Sequence, residues 1–454
     1  MSTIARQSPY PNNKRITRCD RPSDRRGQRY RVKFSAIGQF LCGDSGILQL
    51  MDDLGAALDQ NREIYMLGGG NPARIPEVQA FFRSCLEETL FQPHQFDELV
   101  GNYDAPQGNA KFVDAIASLL RSECGWPVTR ENIAVTNGSQ SSFFTLFNLF
   151  AGPCPDGSQR RILLPLTPEY IGYGDIGLGQ HLFYSCRPNI EIRGQYEFKY
   201  HVDFDQLDIQ EGTGAICISR PTNPTGNVVT DEEIRALREI AAGRDIPLII
   251  DGAYGAPFPN IIFTEVTPIW DPGVIVCLSL SKLGLPGVRT GIVVADDAII
   301  RAVTSANAIM SLSPGSFGPV LVTEAIRSGE LLKISTELIR PYYQHHVDQA
   351  AAWIREQLAG YPCRIHTPEG AIFLWLWFQD LPITSDELYQ RLKRRGVFII
   401  AGEHFFPGLE EDWPHRHECI RVSYAQEPSI VDHGIQIIAE EVRLAYDQRK
   451  TQTA

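Results

Sequence analysis

Between residues 105 and 330, short apolar runs alternate with stretches in which apolar residues recur every three or four positions. The runs predict strands at 133–136, 161–164, 214–219, 247–251, 274–280 and 291–294. The helical spacing predicts helices at 107–121, 140–150, 231–242 and 316–327. Strands that alternate with helices predict an α/β fold, a mainly parallel sheet covered on both faces. After Glu330 a helical pattern runs to about Leu358. A smaller α+β unit is expected beyond it: strands at 371–377, 397–400 and 419–422, helices at 385–395 and 428–446. The expected division is a tail at 1–33, an N-terminal segment of a small domain at 34–78, a large domain at 79–330 and a small C-terminal domain at 331–454.

Charge changes this picture at one end. Residues 1–33 hold ten Lys/Arg against two Asp, a net of +8, so a chain of net −12 leaves −20 on the remainder. The basic segment, broken by Pro, Asn, Ser and Gly, is expected to be a disordered, dispensable tail. An acidic body argues against nucleic acid as a partner. The ten cysteines form no C-x-x-C pair, which fits reduced thiols in a cytoplasmic protein. The longest apolar run, 371–378, is too short to cross a membrane, and no apolar signal core stands near the N-terminus.

The candidate chemistry lies where predicted strands end, the usual place for ligands in α/β sheets. Lys282 follows the 274–280 strand, after Ser279 and Ser281 and before a turn of glycines, Pro286 and Arg289. A lysine amine there can form a Schiff base with an aldehyde, and pyridoxal 5'-phosphate is the cofactor that needs one. Ser279, Ser281 and Arg289 could hold its phosphate. The plain alternative is a solvated lysine in a turn. Asp251 ends another strand, where a carboxylate can pair with a protonated pyridine nitrogen; Tyr254 and Asn223 could reach the ring's phenolate oxygen. Gly138, Ser139 and Gln140 open a helix, where backbone amides bind anions. Tyr170 could stack on a planar ring.

Two other patterns are set aside. Gly172, Gly174 and Gly177 match a dinucleotide fingerprint but do not immediately follow a strand. His415, His417 and Cys419 are spaced too tightly for a zinc pattern, so no metal is expected.

Together the segments Asn223-Pro224-Thr225-Gly226, Asp251-Gly252-Ala253-Tyr254 and Ser279-Leu280-Ser281-Lys282, with Arg421 later, resemble the class I/II aminotransferases, which are fold-type I pyridoxal-phosphate enzymes. The resemblance implies that Lys282 carries the cofactor and moves the proton at the substrate Cα. It implies that Asp251 pairs with the ring nitrogen, Asn223 and Tyr254 hold the phenolate oxygen and Tyr170 stacks. Gly138, Ser139, Gln140, Ser279 and Arg289 would hold the phosphate. Arg289 follows the lysine by seven residues where many members have eight. Tyr103 would reach the phosphate of a partner subunit, making a homodimer with shared active sites. Arg421 would fork onto the substrate α-carboxylate, with the Gly70 backbone and Asn223 beside it.

Segments 66–73, 168–173 and 368–378 are most similar to the branch of the family that uses valine and pyruvate, which implies L-valine + pyruvate = 3-methyl-2-oxobutanoate + L-alanine. A dicarboxylate would need a second cation, and no Lys or Arg lies between Arg301 and Arg327; Ile309 and Met310 stand there instead. A carbon–sulfur lyase or cyclase on the same fold, or a non-enzymatic regulator, are the competing expectations. No nucleic acid or membrane partner is expected.

Overall fold

The strands that end at the candidate residues are continuous apolar runs because both faces of their sheet are covered. Every residue of Ile133–Thr136, Thr213–Ser219, Leu248–Asp251, Val274–Ser279 and Gly291–Val294 is buried. Near-continuous burial is what a doubly covered, mainly parallel sheet demands. The computed structural model describes residues 33–42, 64–179 and 181–453. The expected basic tail, apart from Lys33, lies outside the described residues.

The eight-stranded sheet runs in the order Ile133–Thr136, Gly291–Val294, Val274–Ser279, Leu248–Asp251, Thr213–Ser219, Gln159–Leu164, Gly152–Pro153, with Phe183–Ser185 also on Gln159–Leu164. Gly291–Val294 is antiparallel to both neighbours, and the central pairs are parallel. Register then brings strand ends together: Ser219 opposite Asp251, Ser279 opposite Gly291, and Gly291 opposite Thr136. Four parallel strands therefore deliver their carboxyl ends to one edge.

Helix starts follow local capping. Asp231–Ala242, a helix expected from the sequence, begins with a reciprocal Thr230–Glu233 capping box. The helix expected from Gln107 begins at Ala110, capped by Asn109. Gln107 instead gives its side-chain amide to the carbonyls of Arg130 and Ile133, which holds it outside the helix. The long helical stretch after Glu330 is interrupted by a π turn at Ser335–Ile339 before Arg340–Gln357. Pro341 lacks the N–H that a regular helix would use there.

A six-stranded sheet has the order Ile400–Ala401, Cys419–Ser423, Phe373–Phe378, Cys363–His366, Glu197–Val202, Pro188–Arg193. The strand expected at 397–400 is divided: Val397–Phe398 pairs with Tyr65–Met66, and Ile400–Ala401 pairs with Cys419–Ser423. The sequence pattern did not reveal Cys363–His366 or the Pro188–Arg193/Glu197–Val202 hairpin. That hairpin leaves the span assigned to the large domain and joins the second sheet through Ile365 opposite Glu197. Among the described residues no helix is long and apolar enough to cross a membrane.

Candidate active site

Lys282 sits on a single 3-10 turn, Ser281–Leu283, directly after the Val274–Ser279 strand. Gly284, at φ 101°, ends that turn in a conformation side chains disfavour. The Lys282 Nζ donates to the Gly70 carbonyl at 2.6 Å and lies 5.2 Å from the centre of the Tyr254 ring. Burial, helped by the nearby Arg421 and Arg289 charges, lowers its pKa to about 8, against the pull of Asp251. A sizeable fraction of the amine is therefore neutral, and so nucleophilic, near pH 7 to 8.

Asp251 is buried at its strand end. Its Oδ2 accepts from the Tyr173 hydroxyl at 2.7 Å and its Oδ1 from the Ala253 N–H at 2.9 Å. Burial raises its pKa, opposed by the Tyr173 bond, the Ala253 bond and the Lys282 charge. Gly138 has φ 90° and precedes the helix Ser139–Phe150. A Cβ there would lie 2.3 Å from an Arg289 Nη atom, so only glycine lets the guanidinium settle over the helix start. Helix amides, two serines and a guanidinium make an anion cradle.

The second sheet adds a buried arginine beside the cavity. Arg421 lies on Cys419–Ser423 between Trp375 and Ile400 and is 3% exposed. Its Nη1 donates to Asn223 Oδ1 at 2.6 Å and its Nη2 to the Gly68 carbonyl at 2.7 Å. Its guanidinium carbon lies 3.9 Å from the Phe373 ring centre and 5.1 Å from that of Phe405. Burial lowers its pKa to about 10. Among the described residues no carboxylate pairs with it, and its Nε has no partner. A buried cation without an acid is a receptor for an anion.

One cavity of about 150 Å³ gathers most of the expected residues: Ser139, Gln140, Tyr170, Asn223, Asp251, Tyr254, Ser279, Lys282 and Arg289. Gly138 joins through Arg289, Gly70 through Lys282, and Arg421 through Asn223. Tyr103 is not in this lining; it is 83% exposed. The glycines at 172 and 174 fall in the 3-10 turn Ile171–Asp175, away from any strand-to-helix phosphate turn. His415 contacts the Tyr200 hydroxyl, whereas His417 faces Glu403 and Asp412, so the two histidines share no ligand point.

Sequence reasoning missed Tyr173, Ser219 and Glu169. Glu169 and Tyr173 flank Tyr170 in a segment singled out only for its aromatics. The signal was there in Glu169, a lone carboxyl between Pro168 and Tyr170, five residues past the end of the Gln159–Leu164 strand.

The groups present fit pyridoxal 5'-phosphate: a primary amine with lowered pKa, an anion cradle and a buried carboxylate within one cavity. Comparison with known proteins agrees. The family description "Aminotransferase class I and II" matches residues 87–438. The valine–pyruvate aminotransferase of Escherichia coli K12 is 52% identical over 415 residues, covering 91% of this chain and 99% of that protein. The crystal structure of valine–pyruvate aminotransferase from Salmonella typhimurium LT2 is 51% identical, with a TM-score of 0.82, covering 88% of this chain and 100% of that one. A solved chain from Psychrobacter arcticum 273-4 has a TM-score of 0.89 at 46% identity, covering 92% and 99%.

Proposed function

The chain belongs to the class I and II aminotransferases, and we propose that within that family it exchanges the amino group between L-valine and pyruvate, giving 3-methyl-2-oxobutanoate and L-alanine. It is a pyridoxal-phosphate enzyme of the fold-type I class. When bound, the cofactor supplies an aldehyde for amino groups and a ring that draws electrons from the substrate Cα.

The protein's own contribution is binding, orientation and proton handling. Arg421 takes the α-carboxylate as a planar fork, held flat by the Phe373 and Phe405 rings. Asn223 and the Gly68 carbonyl fix two of its nitrogens before any substrate arrives. Lys282 Nζ takes the proton from the substrate Cα and returns it, a role that suits an amine with a pKa of about 8. The Asp251 carboxylate lies where it can stabilise positive charge on the ring nitrogen. Gly138, Ser139, Gln140, Ser279 and Arg289 anchor the phosphate, and Tyr170, Tyr254 and Asn223 hold the ring.

The single observation that carries this reading is a buried, acid-free Arg421 joined through Asn223 to the cavity that holds Lys282. The preference for small aliphatic side chains rests on what surrounds it. Two phenylalanine rings flank the guanidinium, and no Lys or Arg lies between Arg301 and Arg327 to meet a second carboxylate. The test is a half-reaction screen that follows the bound-cofactor absorbance. Valine, alanine and pyruvate should convert it readily, and aspartate and glutamate poorly. A preference for aspartate, or for glutamate with 2-oxoglutarate, over valine with pyruvate would overturn the substrate assignment.

The working unit in this reading is a homodimer in the cytoplasm. Ile309, 87% exposed, and the exposed Met310 lie on the helix Asp297–Ser311, with the exposed Leu312 just past its end; Asn307 of that helix donates to the Pro106 carbonyl and so ties it to the Tyr103 loop. A second copy of the chain covering this apolar surface would bring Tyr103 to a neighbouring site. Light scattering that finds a fully active monomer would refute it.

A further inference from the structure

Glu169 is a carboxyl with no cation. It is 0% exposed, and among the described residues no Lys, Arg or His pairs with it. Its Oε1 accepts from the Ser219 N–H at 2.8 Å, and its Oε2 makes a short contact with Ser219 Oγ. Its own N–H donates to the Phe405 carbonyl at 2.8 Å, and Phe405 is one of the rings against Arg421. Ser219 stands opposite Asp251 in the parallel register.

The contacts continue beyond Ser219. The Ser219 Oγ is 3.5 Å from the Tyr173 hydroxyl, which donates to Asp251 Oδ2 at 2.7 Å. Two buried carboxyls thus end one chain: Glu169, Ser219, Tyr173, Asp251. Each hydroxyl has a single proton to give. Tyr173 gives its proton to Asp251. Ser219 can support Tyr173 only by turning its proton toward it, and its contact with Glu169 must then be supplied by a proton on Glu169. Were Glu169 ionised, Ser219 would turn to it, and two carboxylates would share one dry region.

We propose that Glu169 is a protonated carboxylic acid in the working enzyme and a positioning residue for Asp251, which it reaches through Ser219 and Tyr173. This rests on the role given to Asp251 above. The chain aims every proton at Asp251, so Asp251 acts only as an acceptor and keeps its charge for the ring nitrogen. The surroundings support a neutral Glu169: burial raises its pKa to about 8, Asp251 adds to the rise, and the Ser219 and Tyr170 hydrogen bonds only partly oppose it. The other groups facing it are neutral at working pH. Tyr173 and Cys217 are both pushed well above their usual values by burial, and Tyr170 is raised too; the charged Arg421 and Arg289 act on Tyr170 and not on Glu169.

Infrared difference spectroscopy tests the protonation without turnover. Cofactor-free and cofactor-loaded enzyme at pH 7 should both show the C=O stretch of a protonated carboxyl that disappears in Glu169→Gln. Glu169→Ala should lower kcat roughly threefold to tenfold, the worth of one neutral hydrogen bond, with KM for valine little changed. It should also shift the pH at which the bound-cofactor absorbance titrates. Glu169→Gln, whose amide can donate to Ser219 Oγ, should restore most of that loss. If Glu169→Ala fails to fold, Tyr173→Phe serves in its place: it keeps the Glu169 band and moves the absorbance titration. No protonated band, a Gln variant as poor as Ala, or an unmoved titration in Tyr173→Phe would each overturn the proposal. Asp251→Asn separates the two claims, because an unchanged cofactor spectrum there would sink the Asp251 role and leave the Glu169 band standing.

Discussion

The two sheets feed the cavity in different ways. The eight-stranded sheet contributes from strand ends: Asp251 closes one strand, Lys282 sits one turn past another, and Gly138 opens the helix after a third. The six-stranded sheet contributes from a strand's middle, where Arg421 is fixed by Trp375 on one side and Ile400 on the other. Strand ends depend on local chain geometry, so their residues can change with little effect on the sheet. A mid-strand cation depends on every neighbour being in place, so its chemistry and the fold are hard to separate.

The largest expected effect breaks the strand-end side alone. Lys282→Ala should fold normally and lose roughly 10²–10⁴-fold or more of transamination, the range for one proton-transferring group. Borohydride reduction followed by peptide mapping should find the adduct on Lys282 in the parent protein and nowhere in the variant. The same residue gives a pH signature. Because its pKa is lowered to about 8, capture of aldehyde by the cofactor-free enzyme should rise with pH up to about 8 and then level. A flat profile would show that another group limits capture.

Next comes a break in the second sheet. Lys199 is buried and pairs with Glu369, while also donating to Asn227 Oδ1 at 2.9 Å and the Val228 carbonyl at 3.0 Å. This pair ties the hairpin to the turn that carries Asn223. Glu369→Gln leaves a buried ammonium without its acid and should cost about 3 kcal/mol of stability in a denaturant melt. A lowered melting midpoint with unchanged kcat and KM of the folded protein would be the mark of a structural role.

Arg421→Lys should have a smaller effect, about 1.5–3 kcal/mol in binding. It keeps the charge and loses the fork, so valine, alanine and pyruvate should all weaken together by roughly ten- to a hundredfold. A loss confined to valine would place Arg421 against the side chain instead of the carboxylate.

The smallest effect tests the joint between the sheets. Glu233, on the helix Asp231–Ala242, accepts from the Val202 N–H of the hairpin at 2.8 Å and faces His201. Burial raises its pKa, but bonds from His201, Thr230 and Val202 outweigh it and bring the value to about 2, below the usual 4.5. A depressed carboxyl stabilises the fold above its unfolded pKa, and that contribution is lost as pH falls from about 4.5 toward 2. Glu233→Gln should lower stability at neutral pH and flatten its decline in that acid window. An unchanged acid limb would remove Glu233 from the joint.

The same contrast explains what the sequence revealed. Ile133–Thr136 and Gly291–Val294 were legible to the residue, because an unbroken apolar run and its flanking turn are local signals. The hairpin at 188–202 was not, because Lys199 and Arg193 make it read as polar; the acid that neutralises Lys199 lies 170 residues away. Lys282, Asp251 and the Gly138 turn announced themselves as polar groups at the ends of apolar runs. Arg421 did not: one arginine in a short strand has no spacing to mark it, and only the likeness to a family singled it out. Glu169 and Tyr173 bracket a residue that was noticed, but their partners, Ser219 and Asp251, come from other strands.

The register of the strand that carries Arg421 also sets which length changes the chain tolerates. Side chains on a strand alternate between faces, so a slip of one residue turns the whole row over. One residue inserted between Pro414 and Cys419, if taken up by sliding this strand between its two neighbours, would turn the guanidinium away from Asn223 and bring an apolar neighbour in its place. Such a slip would loosen the grip on every substrate at once and also repack every buried residue of the strand. An insertion in the exposed turn between Gly152–Pro153 and Gln159–Leu164 would leave Arg421 in register. For recombination or loop grafting, the 414–419 stretch is therefore a segment of fixed length, and the 154–158 turn is a place where length is free to vary.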